Sequence, residues 1–190
     1  MAELLVINSQ NPQLRLVKKI VDILEHGGII IYPTDSCYAI GCRMDDKKAI
    51  DTILRIRGDS KDHCFSILVE DKNFKFIKSN APGAYTFILP ALKNLYKKHS
   101  LTKRNTIGIR IPDHNVVQEV LKLYNKAIVT FSLLLPGDER PMNVPDEIYD
   151  RLSKQVDLII DSGFCDIEGT TIINLLNDET EIVRYGIGNI

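Results

Sequence analysis

Several common functional signatures are missing from this sequence. No stretch fits GxGxxG, the P-loop pattern GxxxxGK[ST], HExxH or GxSxG. The common dinucleotide, P-loop, metalloprotease and serine-hydrolase sites therefore have no sequence support. No segment approaches about 18 uninterrupted apolar residues, the length a membrane-spanning helix needs. The opening MAELLVINSQ has neither the charged head nor the long apolar run of a signal peptide. The four cysteines, Cys37, Cys42, Cys64 and Cys165, form no CxxC pair and no zinc-ligand spacing. Reduced thiols, no structural zinc and a cytoplasmic setting are expected. Neither charge sign dominates, with 24 Lys and Arg against 25 Asp and Glu. Global charge therefore forces no nucleic-acid or membrane reading, although short basic runs such as Lys97-Lys98 and Lys103-Arg104 could still border a basic cleft. Repeats, low-complexity tracts and linkers are also lacking, so residues 1–190 read as a single domain able to bury its own core.

Periodicity predicts a mixed fold. Asn11-Pro12 suits a helix start, and apolar residues from Leu14 to Leu24 recur at helical spacing up to His26, where Gly27-Gly28 closes the pattern. His26 in that last turn reads as structural. Residues 29–32 (IIIY) form a short strand buried on both faces, ended by Pro33. Further helices are expected over 46–57, 92–98, 116–123 and about 146–154. Strands are expected over 65–69, 85–89, 106–111, 127–132, 157–161, 170–175 and 181–185. Strands outnumber helices and often follow one another directly. That favours an α/β or α+β open sheet with mixed strand directions.

Polar residues collect where these strands end. Thr34, Asp35 and Ser36 follow the first, Thr130 and Ser132 flank Phe131, and Thr170-Thr171 open a later strand. Arg110 and Arg184 each interrupt an apolar run. One arginine in a strand can simply lie on the wet face. Two of them with three hydroxyl clusters suggest a ligand site at a sheet edge, where forked guanidinium donors suit carboxylate or phosphate.

The same residues carry a family resemblance that covers nearly the whole chain. YPTDSCYAIGC (32–42) resembles the YPTDT-x-Y-G-L-G-C motif of the YrdC/YciO family, and LRIRG (54–58) its basic loop. APGAYTFIL (81–89), TIGIRIPDH (106–114), IVTFSLLLPG (128–137) and GTTIINL with IVRYG resemble four further family motifs in the same order. The resemblance implies a twisted open mixed β-sheet with flanking helices around a positively charged concave cleft. It implies ATP and L-threonine as ligands, Mg²⁺ with the nucleotide, and condensation of threonine, bicarbonate and ATP to threonylcarbamoyl-AMP and pyrophosphate for the t6A modification of tRNA. Alternatives within the resemblance are a tRNA- or double-stranded-RNA-binding translation factor without full catalysis, and an adenylate hydrolase.

On this reading Arg55, Arg57, Arg110 and Arg184 clamp phosphate and carboxylate groups, with Arg55 and Arg57 in the catalytic role. Thr34, Tyr38, Ser66, Thr130, Ser132 and Thr171 contribute to substrate and nucleotide binding. Asp35 orients either a Mg²⁺ shell or a positive side chain. The family loop usually reads K-x-R-P-x-x-K-P-L, whereas this chain reads RIRGDSKDHCF. His63 aligns with the second lysine across a two-residue insertion, while Lys61 keeps the original offset from Arg57, so both are candidates. Leu134 stands where the family has an asparagine expected to help hold nucleotide. These departures resemble the YciO branch. The segment between strand 65–69 and Pro82-Gly83 is also shorter than is usual for the family.

Overall fold

The structure, a computed structural model, describes residues 1–59, 65–69, 81–91, 106–176 and 180–189. The expected helix over 92–98 and the candidates Lys61 and His63 lie outside the described residues. The chain forms β1 (Glu3–Val6), α1 (Leu14–Glu25), β2 (Ile30–Tyr32), β3 (Ala39–Arg43), α2 (Lys47–Arg57), β4 (Ser66–Leu68) and β5 (Tyr85–Pro90). Then follow β6 (Thr106–Arg110), α3 (Asn115–Tyr124), β7 (Ile128–Ser132), α4 (Pro145–Leu152), β8 (Leu158–Asp161), β9 (Thr171–Asn174) and β10 (Glu181–Arg184). The described strands make one ten-stranded mixed sheet in the order β1-β8-β2-β3-β7-β4-β6-β5-β9-β10.

Side-chain alternation along the central strands divides the core between the two faces of the sheet. Ile30, Ile128, Leu158 and Ile160 pack with Val17, Ile20 and Leu24 of α1 and Val116, Val120 and Leu121 of α3. Their neighbours Ile31, Val129 and Ile159 pack on the other side with Ile50, Ile53 and Leu54 of α2 and Ile148 and Leu152 of α4. Successive residues pointing to opposite faces is the ordinary strand geometry, and helices on both faces account for the unbroken apolar runs.

Helix boundaries follow local chemistry. Asp46 caps α2 by accepting from the Ala49 N–H at 3.0 Å, and Gly58 ends the helix in the left-handed region at φ 68°. The start of α1 differs from the expected Asn11-Pro12. The side-chain oxygen of Asn8 accepts from the N–H groups of Gln10 and Asn11, so those residues form a turn and Gln13 becomes the cap.

Two strands gave no sequence signal, the short β1 and the central β3. Within β3, Gly41 marks a close approach, since a Cβ there would lie 2.6 Å from the Val129 carbonyl oxygen. β2 and β3 pair antiparallel with Tyr32 opposite Ala39, so residues 33–38 are the loop of a hairpin. Among the described residues, no helix is long and apolar enough to cross a membrane.

Candidate functional site

Strand register assembles the site. Leu68 pairs with Arg110 and with Ile128, and Ser66 pairs with Thr130 and with Gly108. Extending the β5–β6 ladder by one residue brings Thr86 opposite Arg110, while Thr86 pairs with Ile172 and Ile172 with Arg184. Cross-strand partners share a face. Ser66, Thr86, Arg110, Thr130, Ile172 and Arg184 therefore belong to one side of the sheet. They line a cleft of about 600 Å³, within the usual range for a small-ligand pocket. Arg57, Phe131, Ser132, Leu134 and Pro141 complete one wall, and residues 168–170 with Tyr185 and Gly186 complete another.

The hairpin loop 33–38 holds Arg110 at the cleft floor. Arg110 is 4 % exposed, and its Nη2 donates to Asp35 Oδ1 at 2.5 Å, to Ser36 Oγ at 2.8 Å and to Thr34 Oγ1 at 2.9 Å. Its Nε has no hydrogen-bond partner among the described residues. Asp35 also accepts from the Asp113 N–H at 3.0 Å, fixing the carboxylate between two strand ends. Thr34 donates to the Cys37 carbonyl at 2.6 Å and accepts from the Ser36 N–H as well as from Arg110. A hydroxyl has one proton and two lone pairs, so Thr34 is fully committed to the turn and the arginine. The Pro-Thr-Asp-Ser that follows an apolar strand is thus chiefly a cradle for a guanidinium.

Arg57 enters at the end of α2. Its Nε pairs with Asp59 at 2.5 Å, its Nη1 donates to the Ser132 carbonyl, and its guanidinium lies 5.5 Å from the centre of the Phe131 ring. Arg184 donates through Nη2 and Nε to the Thr170 carbonyl at 2.8 and 3.3 Å. A Cβ on Gly169 would sit 2.9 Å from Arg184 Nη2, so the glycine leaves room for the guanidinium. Thr130 Oγ1 accepts from the buried Tyr32 hydroxyl at 2.5 Å, which leaves the Thr130 proton available to the cleft. Tyr32 itself is held protonated far into alkali, because burial opposes its charged form. His114, beside the floor, has its pKa lowered from the usual value by burial, with a smaller contribution from Arg110.

The structure brings together Arg57, Ser66, Arg110, Thr130, Ser132 and Arg184 in the cleft lining, with Thr34 and Asp35 directly behind Arg110. Three expected residues stand elsewhere. Arg55 lies on the exposed side of α2, because two helical positions separate it from Arg57 by about 200°. Tyr38 is fully buried, and its hydroxyl donates to the Gly163 carbonyl at 2.7 Å. Thr171 is fully buried and fastens the chain end, donating to the Gly188 carbonyl at 2.7 Å and accepting from the Gly186 N–H at 2.9 Å. Its neighbour Thr170 faces the cleft instead, with its hydroxyl 2.7 Å from that of Thr86.

Thr86, Glu168 and Tyr185 were not singled out from the sequence. Thr170 was named there only as half of the Thr-Thr pair, with the binding role given to Thr171, and strand alternation sends just one of the two to a given face. Cys37, Cys42 and Cys165 are free thiols, and burial pushes Cys165 up to about 12. Cys64 lies outside the described residues.

The profile of the Sua5/YciO/YrdC family, described as telomere recombination, matches residues 22–186. YciO of Escherichia coli (strain K12), named an uncharacterized protein, is 40 % identical over 202 aligned positions, covering 100 % of this chain and 98 % of that protein. Its crystal structure superposes with a TM-score of 0.91 over the same shares of the two chains. A threonylcarbamoyl-AMP synthase of Vibrio vulnificus (strain YJ016) is 24 % identical, covering 76 % of this chain and 84 % of that enzyme. The crystal structure of P. abyssi Sua5 complexed with L-threonine shares the fold, with a TM-score of 0.85 at 18 % identity, over 97 % of this chain and 58 % of that one.

Proposed function

The chain belongs to the Sua5/YciO/YrdC family, and from that membership and the geometry of the cleft we propose that it binds ATP and L-threonine and forms threonylcarbamoyl-AMP. The observation that carries this reading is the convergence of Arg57, Arg110 and Arg184 from α2, β6 and β10 on one cleft lined with hydroxyls. In the proposed reaction the threonine amine adds to bicarbonate, water leaves, and a carbamate results. A carbamate oxygen then attacks the α-phosphorus of ATP, the bond from that phosphorus to the bridging oxygen breaks, and pyrophosphate departs. Little covalent chemistry falls to the protein, whose work is to orient two anions and offset the charge that develops between them.

Forked arginine donors suit both the threonine carboxylate and the triphosphate. Arg110, held rigid by Asp35, Thr34 and Ser36, offers its remaining donors at the floor, while Arg57 and Arg184 reach in from the walls. Thr130, Ser132 and Ser66 supply hydroxyls, and Lys61 and His63, which follow α2 in sequence, remain candidates. Mg²⁺ belongs to this scheme as the partner of ATP. Among the described residues no group of three or more His, Cys, Asp or Glu could hold a metal by itself. The product would serve the t6A modification of tRNA.

The test is pyrophosphate release with ATP, threonine and bicarbonate, omitting each in turn. Release that needs all three supports synthesis, and release without threonine refutes it. A second reading, ligand binding without condensation, is favoured by two features. Arg57 and Arg110 each already pair with an aspartate, and apolar Leu134 lines the wall. Calorimetric binding of ATP and threonine with no pyrophosphate release would favour it.

A further inference from the structure

The wall formed by residues 184–186 presents something that neither a phosphate nor a carboxylate requires. Tyr185 lines the cleft and is 76 % exposed. A lone exposed aromatic side chain is ordinary on a protein surface. The backbone around this one is not free, however. Arg184 on one side donates to the Thr170 carbonyl, and on the other the Gly186 N–H donates to Thr171 Oγ1 at 2.9 Å and the Ile187 N–H to the Gly169 carbonyl at 3.1 Å. Buried Thr171 in turn donates to the Gly188 carbonyl at 2.7 Å. The two segments run so close that a Cβ on Gly186 would lie 2.6 Å from the backbone of Thr170. Tyr185 is thus carried on a fastened strap. None of the aromatic or cation–π contacts among the described residues uses its ring.

An open π face on a fastened backbone, in the same cleft as three guanidinium groups and several hydroxyls, matches a ligand that joins a planar ring to a polyanion. Because the backbone is already pinned, ordering the ring costs only its side-chain rotamer freedom. Resting on the nucleotide reading above, we propose that Tyr185 is the base-stacking residue of the cleft. The nucleobase lies along the 184–186 wall and the phosphates extend toward the arginines. Stacking tolerates any base, because every base has a π face. The residue would therefore strengthen nucleotide binding without selecting adenine.

Calorimetry with ATP and with inorganic tripolyphosphate, each with magnesium, separates the base from the phosphates. For the whole chain, Tyr185→Ala is expected to weaken ATP about tenfold to a hundredfold while leaving tripolyphosphate unchanged, and Tyr185→Phe to keep ATP affinity. The exposed position makes loss of the fold a small risk, and an unchanged melting temperature checks it. If Tyr185→Ala binds ATP as tightly as the wild type, or loses both ligands equally, the stacking role is overturned. Wild-type protein that binds tripolyphosphate and ATP equally also overturns it while sparing the anion site. Wild-type protein that binds neither ligand refutes the nucleotide reading itself, and the stacking role with it.

Discussion

Removing the carboxylate of Asp35 should destabilise this protein severely, for a reason visible in the cleft floor. The Arg110 and Asp35 side chains are only 5 % and 11 % exposed, and their closest approach is 2.5 Å. Truncation in Asp35→Ala leaves a buried guanidinium without its counter-charge and the Asp113 N–H without its acceptor. Breaking a buried pair from one side costs about 3–5 kcal/mol. The hydroxyls of Thr34 and Ser36, still 2.9 and 2.8 Å from Nη2, should hold the loss near the lower end of that range. For a domain of this size, with a urea slope of about 2–3 kcal/mol/M, the unfolding midpoint should fall by about 1–1.5 M.

The double variant Asp35→Ala with Arg110→Met should recover much of this stability, since it removes the uncompensated charge along with its partner. Urea melts followed by circular dichroism provide the measurement. A midpoint shift for Asp35→Ala below about 0.3 M, on the same slope, would refute the claim that the hairpin loop exists to neutralise and fix Arg110. So would a double variant less stable than Asp35→Ala alone.

Gly169→Ala should fold normally yet bind anions more weakly. Its Cβ would come 2.9 Å from Arg184 Nη2, the movable end of a long side chain, so the guanidinium swings off the Thr170 carbonyl. Loss of one charge-assisted contact is worth about 1.5–3 kcal/mol, or about one to two decades in tripolyphosphate affinity by calorimetry. Unchanged affinity would remove Arg184 from the site. Leu134→Asn should raise ATP affinity by about one decade or more, because an amide in the cleft wall can both donate and accept. A folded variant with unaltered binding and turnover would show that this position does not contact the nucleotide.

His114 should make the fold acid-sensitive. Burial lowers its pKa in the folded chain, so the unfolded chain takes up the proton first, and stability is complete above the ordinary value of 6.5 and falls as pH drops below it. Asp35 and Asp113 oppose that shift and Arg110 adds to it. His114→Gln should flatten the pH dependence of the urea midpoint between pH 7 and 5, as about one proton's linkage would require. An identical slope in the variant would refute the assignment.

Much of the architecture was legible in the chain because it rests on local periodicity. The apolar stripe from Leu14 to Leu24 reads as a one-faced helix, and runs such as IIIY and DLIID read as strands covered on both sides. The resemblance carried by six ordered motifs was enough to expect the open mixed sheet and the cleft. It also pointed to Arg57, Arg110, Arg184, Thr130 and Ser132, whose neighbours in sequence are the family motifs themselves. Strand β3 gave no such signal. Its Gly41 and Arg43 break the alternation, and the strand exists because β2 and β7 supply partners on either side.

Which member of each polar cluster faces the cleft was decided by tertiary structure alone. Thr170 and Thr171 are equivalent in sequence, yet the pleat turns one toward the cavity and buries the other as a clasp. Arg55 and Arg57 look like a pair, but the pitch of α2 directs only Arg57 to Ser132. Asp35 could have served a metal or a cation. Its role followed only when β6 was laid within hydrogen-bond reach of the hairpin loop, a separation of 75 residues along the chain closed to 2.5 Å in space. Sequence pattern fixes which residues can carry charge and hydroxyls. The register and twist of the sheet decide which of them meet, because that depends on contacts between distant strands that no local rule encodes.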